Sequence, residues 1–214
     1  MNSADLMPLI QKLYDLAING KFGFSSAETA AEEALKGASG NVEVAIDRFV
    51  RWQIGQAATL GVVSNIGGLL TLPLTLSADI GGVAFLQLRM AAVIARLRGY
   101  PITTDEARTF TILCLLGNGA FEVLKEVGIN VGTKLAGEVL TRMNQAIGAR
   151  LVSSAGTTGA SNLLTFVPLV GGVIGGTFDA VATNLVAEAA RRMFVVPEPV
   201  ANEEGPIIEG EVVE

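Results

Sequence analysis

Asp79 and Asp179 are the residues whose setting could give them unusual chemistry. Each closes a long run without a single charge, residues 52–78 before Asp79 and residues 151–178 before Asp179. A carboxylate in apolar surroundings has a raised pKa unless a cation or several N–H donors meet it. Held in a polar pocket, such a group could serve as a general base towards water or a lipid ester. The plainer reading makes each aspartate a turn cap or an ion-pair partner of Arg89, Arg191 or Arg192.

The rest of the chemical inventory is thin. The chain has no histidine, and Cys114 is its single cysteine. A Ser-His-Asp or Cys-His arrangement within one chain is therefore excluded, as is a zinc site built on histidine or several cysteines. Cys114 lies in the apolar run Ile112-Leu113-Cys114-Leu115-Leu116 and reads as a small buried hydrophobe. Gly128-Ile129-Asn130-Val131-Gly132-Thr133-Lys134 lacks the spacing and the Lys-Ser/Thr pair of a phosphate loop. Gly117-Asn118-Gly119 follows a helical pattern and lacks the third glycine of a dinucleotide fingerprint, so both are punctuation. No catalytic residue, metal or cofactor is assigned.

The elements that must position the two aspartates are helices. Half of the residues are hydrophobic and only 17% are charged, while aromatic residues are scarce. No sustained alternation of a β-strand occurs, and the expected fold is all-α. Ser3 caps a first helix to about Ile18, and Ser25 with Glu28 forms a capping box for a second, stopped by Gly37. Asn41 caps a long third helix that runs into the first uncharged stretch. A helix is expected from about Pro73 to Arg98, then one opened by a Thr103–Glu106 capping box and ended by Gly128. Further helices are expected over about 131–152 and 170–194, with residues 153–161 as a loop. One helical domain thus covers residues 1–197, and residues 198–214 form an acidic, disordered tail.

Charge follows the same division. The net charge is −6, and the tail alone holds the six acids Glu198, Glu203, Glu204, Glu209, Glu211 and Glu214. Residues 1–197 are therefore neutral, with no excess of Lys and Arg to neutralise phosphates, and nucleic acid is not an expected partner. The Ile207-Ile208 and Val212-Val213 pairs between tail glutamates offer a docking peptide for a protein partner. The N-terminus shows no basic region followed by an apolar core, and no disulfide framework exists, so a cytoplasmic location is expected.

The uncharged stretches have the length of a membrane span but not its composition. Gln53, Gln56, Ser64 and Asn65 interrupt the first, and Ser153, Ser154, Thr157 and Asn162 the second. Gly67, Gly68 and Pro73, and likewise Pro168, Gly171 and Gly172, break their apolar parts into pieces too short to span. Arginines flank both stretches on both sides, which fits a soluble core or a hairpin returning to the same side better than a crossing. Gly171 with Gly175, and Gly172 with Gly176, place small residues on one helix face and allow another helix to approach closely.

In chain order the segments Gly67-Gly68-Leu69-Leu70-Thr71-Leu72-Pro73, Ala78-Asp79, Gln87-Leu88-Arg89-Met90, Leu113-Cys114-Leu115-Leu116-Gly117-Asn118, Lys125-Glu126-Val127-Gly128-Ile129, Asn144-Gln145-Ala146-Ile147-Gly148 and Val167-Pro168-Leu169-Val170-Gly171-Gly172 resemble the EcsC family of bacterial proteins. The collinear resemblance runs from about Val44 to Phe194 and leaves out the N-terminal 40 residues and the acidic tail. It implies a bacterial, helical, membrane-associated protein. It transfers no catalytic residue, because the family has no agreed set.

The resulting expectation is a non-enzymatic protein, cytoplasmic or peripheral at the inner face of the membrane, that binds lipid or another hydrophobic ligand. Leu69, Leu72, Pro73, Leu76, Phe166, Pro168 and Val170 are expected to line the groove. Asp79, Arg89 and Asp179 would organise its polar end. The alternatives are a hydrolase using Asp79 or Asp179 on a lipid-like substrate, and an interaction protein recruited through its acidic tail. Self-association is left open.

Overall fold

The computed structural model describes residues 3–63, 78–130, 135, 137–156 and 177–195. Among these the protein is all-α. Its helices are α1 (Ser3–Asn19), α2 (Ala27–Gly37), α3 (Val42–Val63), α4 (Ala78–Leu97), α5 (Asp105–Cys114), α6 (Gly119–Val127), α7 (Gly137–Gly156) and α8 (Thr177–Met193).

α4 is the axis of the fold and packs against α1, α2, α3, α5 and α8. Every residue from Ala84 to Ala95 on it is buried. A helix covered on all sides needs an apolar circumference, and this segment supplies one except at Gln87 and Arg89. Its alanines, Ala84, Ala91, Ala92 and Ala95, are small enough to let neighbouring helices come close. The core then closes with Ile46 and Phe49 of α3, Ile112 and Leu113 of α5, Val186 and Ala190 of α8, and Tyr14 of α1. Tyr14 Oη donates a hydrogen bond to the Ile102 carbonyl at 2.5 Å, tying α1 to the loop before α5.

Helix ends follow local chemistry, with small departures from the sequence expectation. Asn41 Oδ1 accepts from the Val44 amide, as expected of its cap. α2 is capped by Ser26, whose Oγ accepts from the Thr29 amide, not by Ser25. α5 is likewise capped by Thr104 and not Thr103. In both cases the glutamate of the expected capping box is used elsewhere: Glu28 pairs with Arg96, and Glu106 accepts from the Leu135 amide.

The single helix expected from Thr103 to Gly128 is two helices, because the chain turns at Leu115–Asn118 with Gly117 at φ 53°. α7 continues through Gly156 and so covers the start of the expected loop over 153–161. The stops at Gly99 and Gly128 are in the left-handed conformation that glycine accepts without strain. The tail and residues 64–77 and 157–176 lie outside the described residues.

Long-range ion pairs among the described residues, beside that of Glu28 with Arg96, fasten the periphery to this core. Arg108 of α5 meets Asp15 of α1 at 2.9 Å, Arg98 at the end of α4 meets Glu43 of α3 at 2.6 Å, and Arg191 of α8 meets Asp47 of α3 at 2.6 Å. Each is partly exposed and contributes modestly, of the order of 1 kcal/mol or less.

Candidate functional site

Between α1 and α2 the chain makes a tight loop over residues 20–26. Gly20 has φ 75°, and a Cβ there would lie 2.5 Å from the Ser26 nitrogen, so only glycine lets the loop fold back on itself. The Phe24 amide donates to the Lys21 carbonyl at 3.1 Å across a turn whose central residues, Phe22 and Gly23, have φ 58° and 83°. Positive φ at a bulky aromatic residue is uncommon and costs conformational energy. It turns Phe22 and Phe24 inward, where both rings contact Phe85 of α4, with centroids 5.4 and 5.6 Å away.

One helical turn after Phe85 stands Arg89. It is only 2% exposed, yet no carboxylate lies within ion-pair distance among the described residues. Its guanidinium lies over the Phe24 ring at 5.3 Å and the Phe49 ring at 5.6 Å from the centroids. Nε and Nη2 donate to the Ser25 carbonyl at 3.3 and 3.1 Å, and Nη2 also reaches Ser25 Oγ at 3.2 Å. Nη1 is buried and has no hydrogen-bond partner among the described residues. Burial pushes the Arg89 pKa below its ordinary value, against the opposing effect of nearby Glu33. Two aromatic faces and a carbonyl thus hold the cation where its desolvation would otherwise be costly.

Arg89 lies in the wall of a cleft of about 730 Å³ between the 20–26 loop, α2 and α3. Phe22, Phe24, Phe49 and Trp52 supply its apolar surface, and Glu33, Arg48 and Ser25 its polar edge. Trp52 packs on Phe49 with ring centroids 5.7 Å apart while remaining 46% exposed. Arg48 is held at the rim by a 2.7 Å hydrogen bond from Nη1 to the Gly37 carbonyl. The arrangement offers an apolar slot with a buried positive group in its wall. Such concave, mostly apolar surfaces with few fixed polar groups are the usual form of small-molecule sites.

Of the residues expected to build a groove, Leu69, Leu72, Pro73, Leu76, Phe166, Pro168 and Val170 lie outside the described residues. Asp79 and Asp179 fall at the starts of α4 and α8, and their side chains also lie outside the described part. Arg89 is the expected residue whose surroundings are visible. Its described partners are Ser25, Phe24 and Phe49. Arg191 pairs with Asp47, Glu43 and Glu188, and Arg192 lies 4.0 Å over the Phe121 ring.

A second polar feature crosses the core. Gln53 Nε2 donates to the Leu86 carbonyl at 3.3 Å, and Gln87 Nε2 to Thr183 Oγ1 at 3.4 Å, linking α3, α4 and α8. Gln53, a polar interruption of the first uncharged stretch, is fully buried in protein. No helix among the described residues is long and apolar enough to cross a membrane. Nor does any group of three or more His, Cys, Asp or Glu stand close enough to hold a metal among these residues.

Sequence reasoning missed Phe22, Phe24, Phe49 and Trp52 as site residues. A signal existed in Phe22-Gly23-Phe24, two aromatic residues around a glycine between two helices, in a chain with few aromatics. No protein-family model, curated protein or solved structure matches this chain.

Proposed function

We propose that this chain is a non-enzymatic, membrane-associated protein that binds lipid or another hydrophobic ligand, and that the cleft beside Arg89 holds it. The observation that carries this reading is the gathering of Phe22, Phe24, Phe49 and half-exposed Trp52 around an open space of about 730 Å³. The resemblance to the EcsC family supports the same reading, with a bacterial protein at the inner face of its membrane.

The cleft contains a convenient reporter. Trp52 is the chain's one tryptophan, so its emission describes the cleft without background from elsewhere. Bromododecyl amphiphiles, acid and alcohol, quench tryptophan on contact and are expected to quench Trp52 saturably below their micelle concentration. The protein purified from cells is also expected to carry lipid in native mass spectrometry and to float with vesicles. Absence of quenching by either amphiphile, together with absence of lipid and of flotation, sinks the reading.

A further inference from the structure

Arg89 differs from the other well-covered arginines. Arg98, Arg108 and Arg191 each hold a carboxylate, at 2.6, 2.9 and 2.6 Å respectively. Arg89 is more deeply buried than any of them and holds a backbone carbonyl and a hydroxyl instead. Among the described residues these leave its positive charge without a carboxylate at ion-pair distance, Glu33 acting only from farther away. Packing that needed only an apolar side chain at this position would not retain a guanidinium, because burying an unpaired charge is costly. The group is one anion short of a complete environment.

Resting on the hydrophobic-ligand reading above, we propose that the cleft takes a free amphiphile with a singly charged oxyanion head, its head lying towards the Arg89 guanidinium in the cleft wall and its apolar body along Phe22, Phe49 and Trp52. The stoichiometry of charge follows from the site. Nε and Nη2 both donate to Ser25, and Nη1 is the guanidinium nitrogen without a partner among the described residues. One buried cation neutralises one negative charge. A dianion would carry its second charge into a cleft that Glu33 also lines. Arg48 at the rim is already engaged with the Gly37 carbonyl and is exposed. A carboxylate or a phosphodiester satisfies these conditions, and an alcohol or an ammonium head does not. Burial makes the contact much less sensitive to salt than adsorption on a charged surface.

The test compares dodecanoate, a dodecyl methyl phosphodiester, dodecanol and dodecylammonium as monomers, by displacement of a bromododecyl probe from Trp52. The two monoanions are expected to bind about tenfold or more tighter than dodecanol, because a charge-assisted hydrogen bond is gained. Dodecylammonium is expected to bind more weakly than dodecanol. Glu33→Gln, a change at an exposed position on the cleft edge, is expected to raise the ratio of dodecanoate to dodecanol affinity about twofold. This variant serves where Arg89→Gln fails to fold; where Arg89→Gln folds, the preference for anions is expected to vanish. Equal affinity for dodecanol and dodecanoate overturns the proposal and leaves the hydrophobic-ligand reading standing. Binding to none of the four, with no quenching by brominated anionic vesicles, no co-purified lipid and no flotation, removes both. Quenching by brominated anionic vesicles but by no monomer overturns the free amphiphile in favour of a lipid held in its bilayer.

Discussion

Arg89 of α4 donates from both Nε and Nη2 to the carbonyl oxygen of Ser25, 64 positions earlier in the chain. This contact fixes the 20–26 loop against the central helix and so sets one wall of the cleft. It also explains why Ser25 does not cap α2: its hydroxyl accepts from the guanidinium, and Ser26 takes the cap.

The two ends of that contact are expected to respond unequally to substitution. Arg89→Ala removes the guanidinium from between Phe24 and Phe49 and leaves space in a packed wall, at a cost of about 2–4 kcal/mol. Ser25→Ala keeps the carbonyl that accepts two of the three hydrogen bonds and is expected to cost less than about 1 kcal/mol. Urea denaturation of both variants measures the difference. Equal losses would mean that the serine hydroxyl, not the backbone, holds the loop.

The loop itself depends on its glycines to different degrees. Gly20 and Gly23 both have positive φ, at 75° and 83°. A Cβ on Gly23 meets nothing within 4 Å, whereas one on Gly20 lies 2.5 Å from backbone at Ser26. Gly23→Ala is therefore expected to cost about 1 kcal/mol, from the left-handed conformation alone. Gly20→Ala adds a clash with backbone that has no flexible end to move, and is expected to cost at least ~1 kcal/mol more. Thermal melts of the two variants rank them, and the Trp52 spectrum reports whether the cleft wall moves.

Several helices were legible in the sequence because their stops are glycines, as at Gly20, Gly99 and Gly128, and a glycine stop is a local signal. The caps of α2 and α5 were displaced by one residue for a related reason. Ser25-Ser26 and Thr103-Thr104 each offer two adjacent hydroxyls, and at the first pair the Ser25 hydroxyl is taken by the distant Arg89. The break at Gly117 was hidden because apolar residues continue through Leu115 and Leu116, so periodicity alone does not show the turn. Arg89 was expected from the sequence as a partner of Asp79 or Asp179 at the polar end of a groove; it stands in the wall of the cleft beside Ser25, Phe24 and Phe49. Its aromatic partners were not expected, since Phe24 and Phe49 meet it only through tertiary folding. The groove expected over residues 69–76 and 166–170 lies outside the described residues.

Alkaline pH is expected to loosen the core. Burial pushes the Tyr14 phenol up to about 12 from its ordinary 10.0, outweighing the lowering effects of Thr111 and Arg108. The folded state therefore holds this proton more tightly than the unfolded chain does. The associated stability is fully present below pH 10 and is lost as pH rises through about 12, by roughly 2 kcal/mol. Urea midpoints measured from pH 8 to 12 should fall over that window. Tyr14→Phe should flatten the Tyr14 part of the decline, while costing about 1 kcal/mol at neutral pH through the lost bond to the Ile102 carbonyl.

Cys114 supplies a measure of global opening. It closes α5, is fully buried, and burial raises its thiol pKa well above the usual range. Thiol reagents attack the thiolate, so both access and ionisation are denied in the native state. In the folded protein, labelling is expected only through opening of the core, at a rate that rises with urea in step with unfolding. Arg89→Ala and Gly20→Ala should accelerate labelling in proportion to their loss of stability where exchange is limited by the open population. Ligand in the cleft should slow it, because binding to the native state alone raises the free energy of opening. Rapid labelling at zero urea, unaffected by ligand, would instead show that Cys114 is reached by a local opening of α5 separate from the cleft.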